Sequence, residues 1–236
     1  MKLLNLAFRR ETAVPVLAIS FASGICLTLI VARIAWTGNF RYAFLGWNLF
    51  LAWLPLALAL LACEEDRNRD ANRWRFRGLT LAWLLFFPNA PYIFTDLTHL
   101  NHRFAPHFWT DLVLILTCAL TGLVVGFVSL YLMHGIISRK IGKLAGWGFV
   151  GGVALLSGFG ICLGRFLRFN SWDVVFKPVK LYQGIGSWVV NPLEYPGMYA
   201  LPILFATFLF VSYLMLYALT HLQPAPALAP AQTAGT

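Results

Sequence analysis

The stretch Leu79-Thr80-Leu81-Ala82-Trp83-Leu84-Leu85-Phe86-Phe87-Pro88-Asn89-Ala90-Pro91-Tyr92-Ile93-Phe94-Thr95-Asp96-Leu97-Thr98-His99-Leu100 carries no charge before Asp96. It is long enough to cross a hydrocarbon core of about 30 Å, which needs roughly 20 apolar residues in a helix. Two prolines interrupt it. Pro88 and Pro91 each lack a backbone donor and crowd the carbonyl four residues back, on Leu84 and Phe87. Each also biases the residue before it, Phe87 or Ala90, away from helical geometry. A helix starting at Leu79 has risen only about 13 Å at Phe87, so the break is expected near mid-membrane. The freed carbonyls and the Asn89 amide then need another helix, a water cavity or a ligand. A structural kink is the plain reading, and an opening lined by Asn89 is the functional one.

Composition places that stretch in a membrane. Of the 236 residues 59% are hydrophobic and 11% charged, with a mean hydropathy of +0.71, whereas soluble domains are nearer half apolar and a quarter charged. Five further segments, about 13–36, 42–62, 111–133, 144–164 and 198–221, have the length to span. Lipid offers no partner to backbone N–H and C=O groups, so the spans must be helices. The expected fold is an all-α polytopic bundle of about six transmembrane helices, the third broken at Pro88/Pro91. The apolar stretch Val174–Val190, with Trp172, Tyr182, Trp188 and Tyr195 around it, reads as an outer interfacial segment between helices five and six. Residues 1–12 are expected to be a cytoplasmic N-terminal segment, 13–221 the membrane domain, and 222–236 a disordered Ala/Pro-rich cytoplasmic tail.

The formal net charge of +9 comes from basic residues that punctuate hydrophobic spans. That is the pattern of topology signals and anionic-lipid contacts, not of a nucleic-acid surface. Eleven Lys and Arg fall in the N-terminus and the second and fourth connections, against seven in the others. The bias orients both termini toward the cytoplasm. The uncharged run Ala13–Ala32 is longer than the core of a signal peptide, so it reads as an uncleaved first helix. Cys26, Cys63, Cys118 and Cys162 form no C-x-x-C pair and read as packing residues. Glycine pairs four apart, Gly122/Gly126, Gly148/Gly152 and Gly160/Gly164, each bare one helix face. They are expected to form a tight contact involving the fourth and fifth helices within the monomer, or a homodimer face.

Polar groups gather at one depth. Asp96 lies about 25 Å along from Leu79, near the outer interface, followed by His99, His102, Arg103 and His107, with Asp111 opening the fourth helix. The fifth helix ends there with Arg165, Arg168 and Asp173. Ion pairing, for example of Asp96 or Asp111 with Arg165, is the structural reading. Two chemical readings compete with it. Asp96, His99, His102 and His107 offer oxygen and imidazole ligands to a divalent metal, although positions 96 and 102 diverge by about 120° on a continuous helix. Alternatively, Arg165 and Arg168 share a helical face and would grip a phosphate or carboxylate, with Asn89 and Asp173 beside them.

Other patterns dissolve on inspection. Glu64-Glu65-Asp66-Arg67-Asn68-Arg69 fits an intramembrane-protease E-E-x-x-x-R pattern, but it sits in a charge-dense connection at the end opposite the histidines. Ser157-Gly158 has Leu155, not glycine, ahead of it, and no phosphate-binding G-x-x-x-x-G-K-[ST] loop occurs. His134 and His221 are expected at helix ends, satisfying terminal carbonyls. The segments Asn48–Pro55, Leu85–His99, Trp109–Leu112 and Gly164–Asp173 together resemble a bacterial integral-membrane family, domain of unknown function 1361. The likeness spans roughly residues 42–215. It implies a protein of the bacterial inner membrane and no particular activity.

Three functions remain on the residues alone. The first is a membrane protein binding or moving an anionic lipid or lipid-like ligand at the outer leaflet, through Asn89, Arg165, Arg168 and Asp173. The second is an intramembrane enzyme using Asp96, His99 and Asp111 as acid–base groups, or using a metal. The third is a structural subunit of a membrane complex. Membrane lipids are the expected partners, with a second copy or a complex partner on the glycine faces, and no cofactor is indicated beyond that candidate divalent metal.

Overall fold

The computed structural model describes residues 13–68, 72–100, 106–169, 171–190 and 197–221, and its elements are all helical. They are α1 (Ala13–Thr37), α2 (Phe44–Arg67), α3 (Arg73–Phe86), α4 (Asn89–Tyr92), a 3₁₀ segment (Ile93–His99), α5 (Phe108–Ile141), α6 (Lys143–Phe166), α7 (Asp173–Phe176), α8 (Pro178–Val190) and α9 (Gly197–Thr220). Five helices, α1, α2, α5, α6 and α9, are long and apolar enough to cross a membrane. The chain is a polytopic helical membrane protein. The segments 1–12 and 222–236 lie outside the described residues.

The third segment breaks where its prolines dictate, but more gently than the sequence predicts. Phe87 stays helical at φ −54°, ψ −40°, so no extended residue precedes Pro88. The chain tightens instead: the Ala90 amide bonds the Phe87 carbonyl at 3.1 Å, three residues back, the single α-helical turn α4 follows, and 3₁₀ geometry runs from Ile93 to His99. The Phe86 carbonyl thereby loses its usual donor and accepts from the Asn89 side chain at 2.9 Å. Despite the break the segment runs the full height of α2, antiparallel to it. Glu65 meets the Asn72 amide and Arg75 at one end, while the Arg41 guanidinium donates to the His99 carbonyl at the other.

Two glycine pairs clasp the broken turn. A Cβ on Gly126 would come within 2.7 Å of the Ala90 methyl, and one on Gly122 within 3.1 Å of the Ala90 carbonyl oxygen. From the other side, Cβ atoms on Gly160 and Gly164 would lie 3.0 Å from Pro88 and 3.1 Å from the Tyr92 ring. The expected tight contact involving the fourth and fifth helices within the monomer is thus made, at these two pairs, against the third segment, which the bare glycine faces let approach closely. Gly148 and Gly152 have nothing within 4 Å of a built Cβ.

Two further expectations need correction. Helix α2 continues to Arg67, so Glu64 and Glu65 end a helix and do not form a solvated loop; Glu65 is buried, and Asp66 pairs with Arg139 and Lys140 of α5. Helix α5 continues to Ile141, which puts His134 in its interior. There His134 hydrogen-bonds the Tyr213 hydroxyl at 2.9 Å and packs against Trp147 and Tyr217. His221 does cap a carbonyl, that of Tyr217, at 2.8 Å.

Candidate functional site

Tightening of the third segment delivers its polar end to a cavity of about 730 Å³ between α2, the broken segment and the end of α6. Asp96 is the hub. The residue is 1% exposed, and its Oδ2 accepts from the Asn48 amide of α2 at 2.8 Å. Its Oδ1 faces the His99 Nδ1 at 3.7 Å and the Arg165 Nη1 at 3.9 Å. Both distances exceed hydrogen-bond length, so these are charge contacts. Arg165 also donates to the Thr98 hydroxyl. Among the described residues the buried His99 Nδ1 has no hydrogen-bond partner.

Arg168 lines the same cavity in a conformation that costs energy. It follows the end of α6 with φ +56°, the left-handed region, where an L side chain is disfavoured by about 1–2 kcal/mol and glycine is the common occupant. Asn89 also faces the cavity; besides holding the Phe86 carbonyl it donates to the Ser171 hydroxyl at 3.0 Å. Val174 of α7 and Leu181 of α8 close part of the rim. Away from these groups the walls are apolar: Leu51, Leu84, Leu85, Leu163 and their neighbours.

Not all of the predicted residues meet there. Asp111 belongs to a separate constellation, where the Arg33 Nε bonds its Oδ1 at 2.6 Å and the Tyr42 hydroxyl its Oδ2 at 3.0 Å. Burial first, and the bond to Asp111 second, raise the Tyr42 phenol above its ordinary value, so it stays a neutral donor. His107 lies beside this group, edge-on to Trp36 with ring centroids 5.1 Å apart. Asp173 is buried next to the main cavity and pairs with Lys177 at 3.0 Å. His102 and Arg103 lie outside the described residues, among which no three His, Cys, Asp or Glu side chains group as a metal site.

The residue that sequence reasoning missed is Asn48. Its signal was present: it is the one amide or charged side chain in the apolar run from Phe44 to Cys63, and a lone strong polar group in such a run normally has a buried partner. Thr98 and Ser171, common hydroxyl residues in polar surroundings, carried no such signal.

No curated protein and no solved structure matches the chain. Residues 47–219 match a family described as "Protein of unknown function (DUF1361)", a span that holds Asn48, Asp96, His99, Arg165 and Arg168. Because the match covers most of its length, the chain belongs to the DUF1361 family.

Proposed function

We propose that the chain binds an amphiphilic anion, a lipid or lipid-like molecule, with the head at Arg165 and Arg168 and the hydrocarbon along the apolar wall. The division of one cavity into a charged end and a hydrocarbon-like end supports this reading. Its volume suits such a ligand, since small-molecule sites run about 300–1,000 Å³. Its rim includes Trp47, Leu81, Leu156 and Phe159, all exposed, and in a membrane such surfaces face acyl chains. The excess of Lys and Arg at the other end supports a head-group end at the outer leaflet and termini in the cytoplasm.

Native mass spectrometry of the full chain in mild detergent tests the proposal. A lipid adduct is expected on the unmodified protein and not on the double variant Arg165→Gln/Arg168→Gln, which removes both head-group cations. Equal retention by the two proteins would overturn it.

A second reading is favoured by one observation, the His99 Nδ1 that faces a buried carboxylate at 3.7 Å and has no hydrogen-bond partner among the described residues. Asp96 would then orient His99 as an acid–base group acting on the bound head. His99→Ala would keep the lipid adduct and lose turnover.

A further inference from the structure

Resting on the binding reading above, we propose that the cavity selects an amphiphile whose head carries a single negative charge. The basis is the charge that each element brings to the cavity. Helix α2 supplies a neutral amide, Asn48; the 3₁₀ segment supplies Asp96 and His99; the end of α6 supplies Arg165 and Arg168; the broken turn supplies Asn89 and the phenol of Tyr92; the α7–α8 side supplies Ser171 and apolar groups. Asp173 and Lys177, next to the cavity, pair with each other at 3.0 Å and cancel. Among the described residues that line the cavity, two guanidinium groups and one carboxylate sum to a net charge of +1.

A head of charge −1 brings that balance to zero. A zwitterion leaves one positive charge uncompensated, and a dianion leaves one negative. Either residue of charge is costly beside Asp96, which at 1% exposure has almost no water to relieve it. The arginines are free to answer the ligand because Arg165 meets Asp96 only at 3.9 Å, a charge contact and not a closed bidentate clamp. Asp96 therefore acts as a charge counter: it subtracts one from the pair of arginines and sets the charge that the site accepts.

Phosphodiester and carboxylate heads share this single charge, so the experiment separates them. Full-length protein in neutral detergent is offered phosphatidylglycerol, oleate, phosphatidic acid and phosphatidylethanolamine at pH 8.5. There a phosphomonoester is close to doubly charged and an unperturbed imidazole is neutral. Bound fractions are read by native mass spectrometry. Phosphatidylglycerol is expected to exceed phosphatidic acid about tenfold; strong oleate binding with little phosphatidylglycerol would keep the charge rule and make the head a carboxylate. Asp96→Asn raises the site to +2 and should reverse the preference toward phosphatidic acid. Arg168→Gln, at an exposed position, lowers it to zero and should bring phosphatidylethanolamine level with phosphatidylglycerol. Phosphatidic acid binding as well as phosphatidylglycerol in the unmodified protein would overturn the charge rule. So would an order unmoved in Arg168→Gln, even should Asp96→Asn fail to fold. Absence of every lipid from the unmodified protein would instead remove the binding reading beneath it.

Discussion

Asp96 and Asp111 are both carboxylates buried near one end of the bundle, and their surroundings separate their roles. Asp111 is saturated, with Arg33 gripping both of its oxygens and Tyr42 adding a third bond. Asp96 has one firm bond, from Asn48, and two cationic or ionisable neighbours held off at 3.7 and 3.9 Å. A saturated pair is structural and an undersatisfied one beside a cavity is available for chemistry. The structural assignment has a measurable consequence. Arg33→Ala strands a carboxylate that is 12% exposed, and breaking such a pair costs about 3 kcal/mol. Replacing both partners together, Arg33→Leu with Asp111→Leu, should cost clearly less, because no charge is left unpaired. Denaturant unfolding in detergent compares the two; equal losses would show that the pair is not what Arg33 contributes.

At the scale of elements, the broken segment depends on its walls. The helix α5 face of Gly122 and Gly126 and the helix α6 face of Gly160 and Gly164 admit the segment Pro88–Ile93 at distances that a Cβ essentially never shows on the α5 side and seldom shows on the α6 side. Gly126→Ala should therefore destabilise by about 1–3 kcal/mol through overpacking against Ala90. Gly152→Ala, with open space around it, should be neutral or should stabilise by up to about 1 kcal/mol, since alanine is the better helix former. Thermal unfolding in detergent checks the pair of variants, and a Gly126→Ala protein as stable as the parent would dismiss the clasp. The prolines made the break legible in the sequence, and the four-residue glycine spacing made close packing legible. Which helix met which glycine was not, because a small residue states how near a neighbour comes and not which neighbour it is. The 3₁₀ continuation was hidden for a similar reason: prolines remove donors, but the surrounding helices decide whether the chain kinks open or tightens.

For the whole molecule, hydropathy and span length were sufficient to read the class, since lipid permits few alternatives to helices. The candidate site was legible only in depth. Asp96, His99, Arg165 and Arg168 do converge laterally on one cavity, whereas Asp111 at the same level goes to Arg33, and nothing in a one-dimensional string distinguishes those outcomes. Orientation remains an inference from charge, and it decides which leaflet the cavity serves. The two ends carry exposed positions suited to labelling: Phe40, 73% exposed between α1 and α2 at the cavity end, and Leu144, 88% exposed where α5 meets α6 at the other. Cys26, Cys118 and Cys162 are buried, and the half-buried Cys63 can be changed to serine to keep the background low. In intact cells a membrane-impermeant maleimide should then label Phe40→Cys and spare Leu144→Cys until the membrane is opened. The opposite pattern would place the arginine-lined end of the cavity on the cytoplasmic side. The bound amphiphile would then be drawn from the inner leaflet, where anionic head groups are more abundant, and the site would face a different supply of the same chemical class.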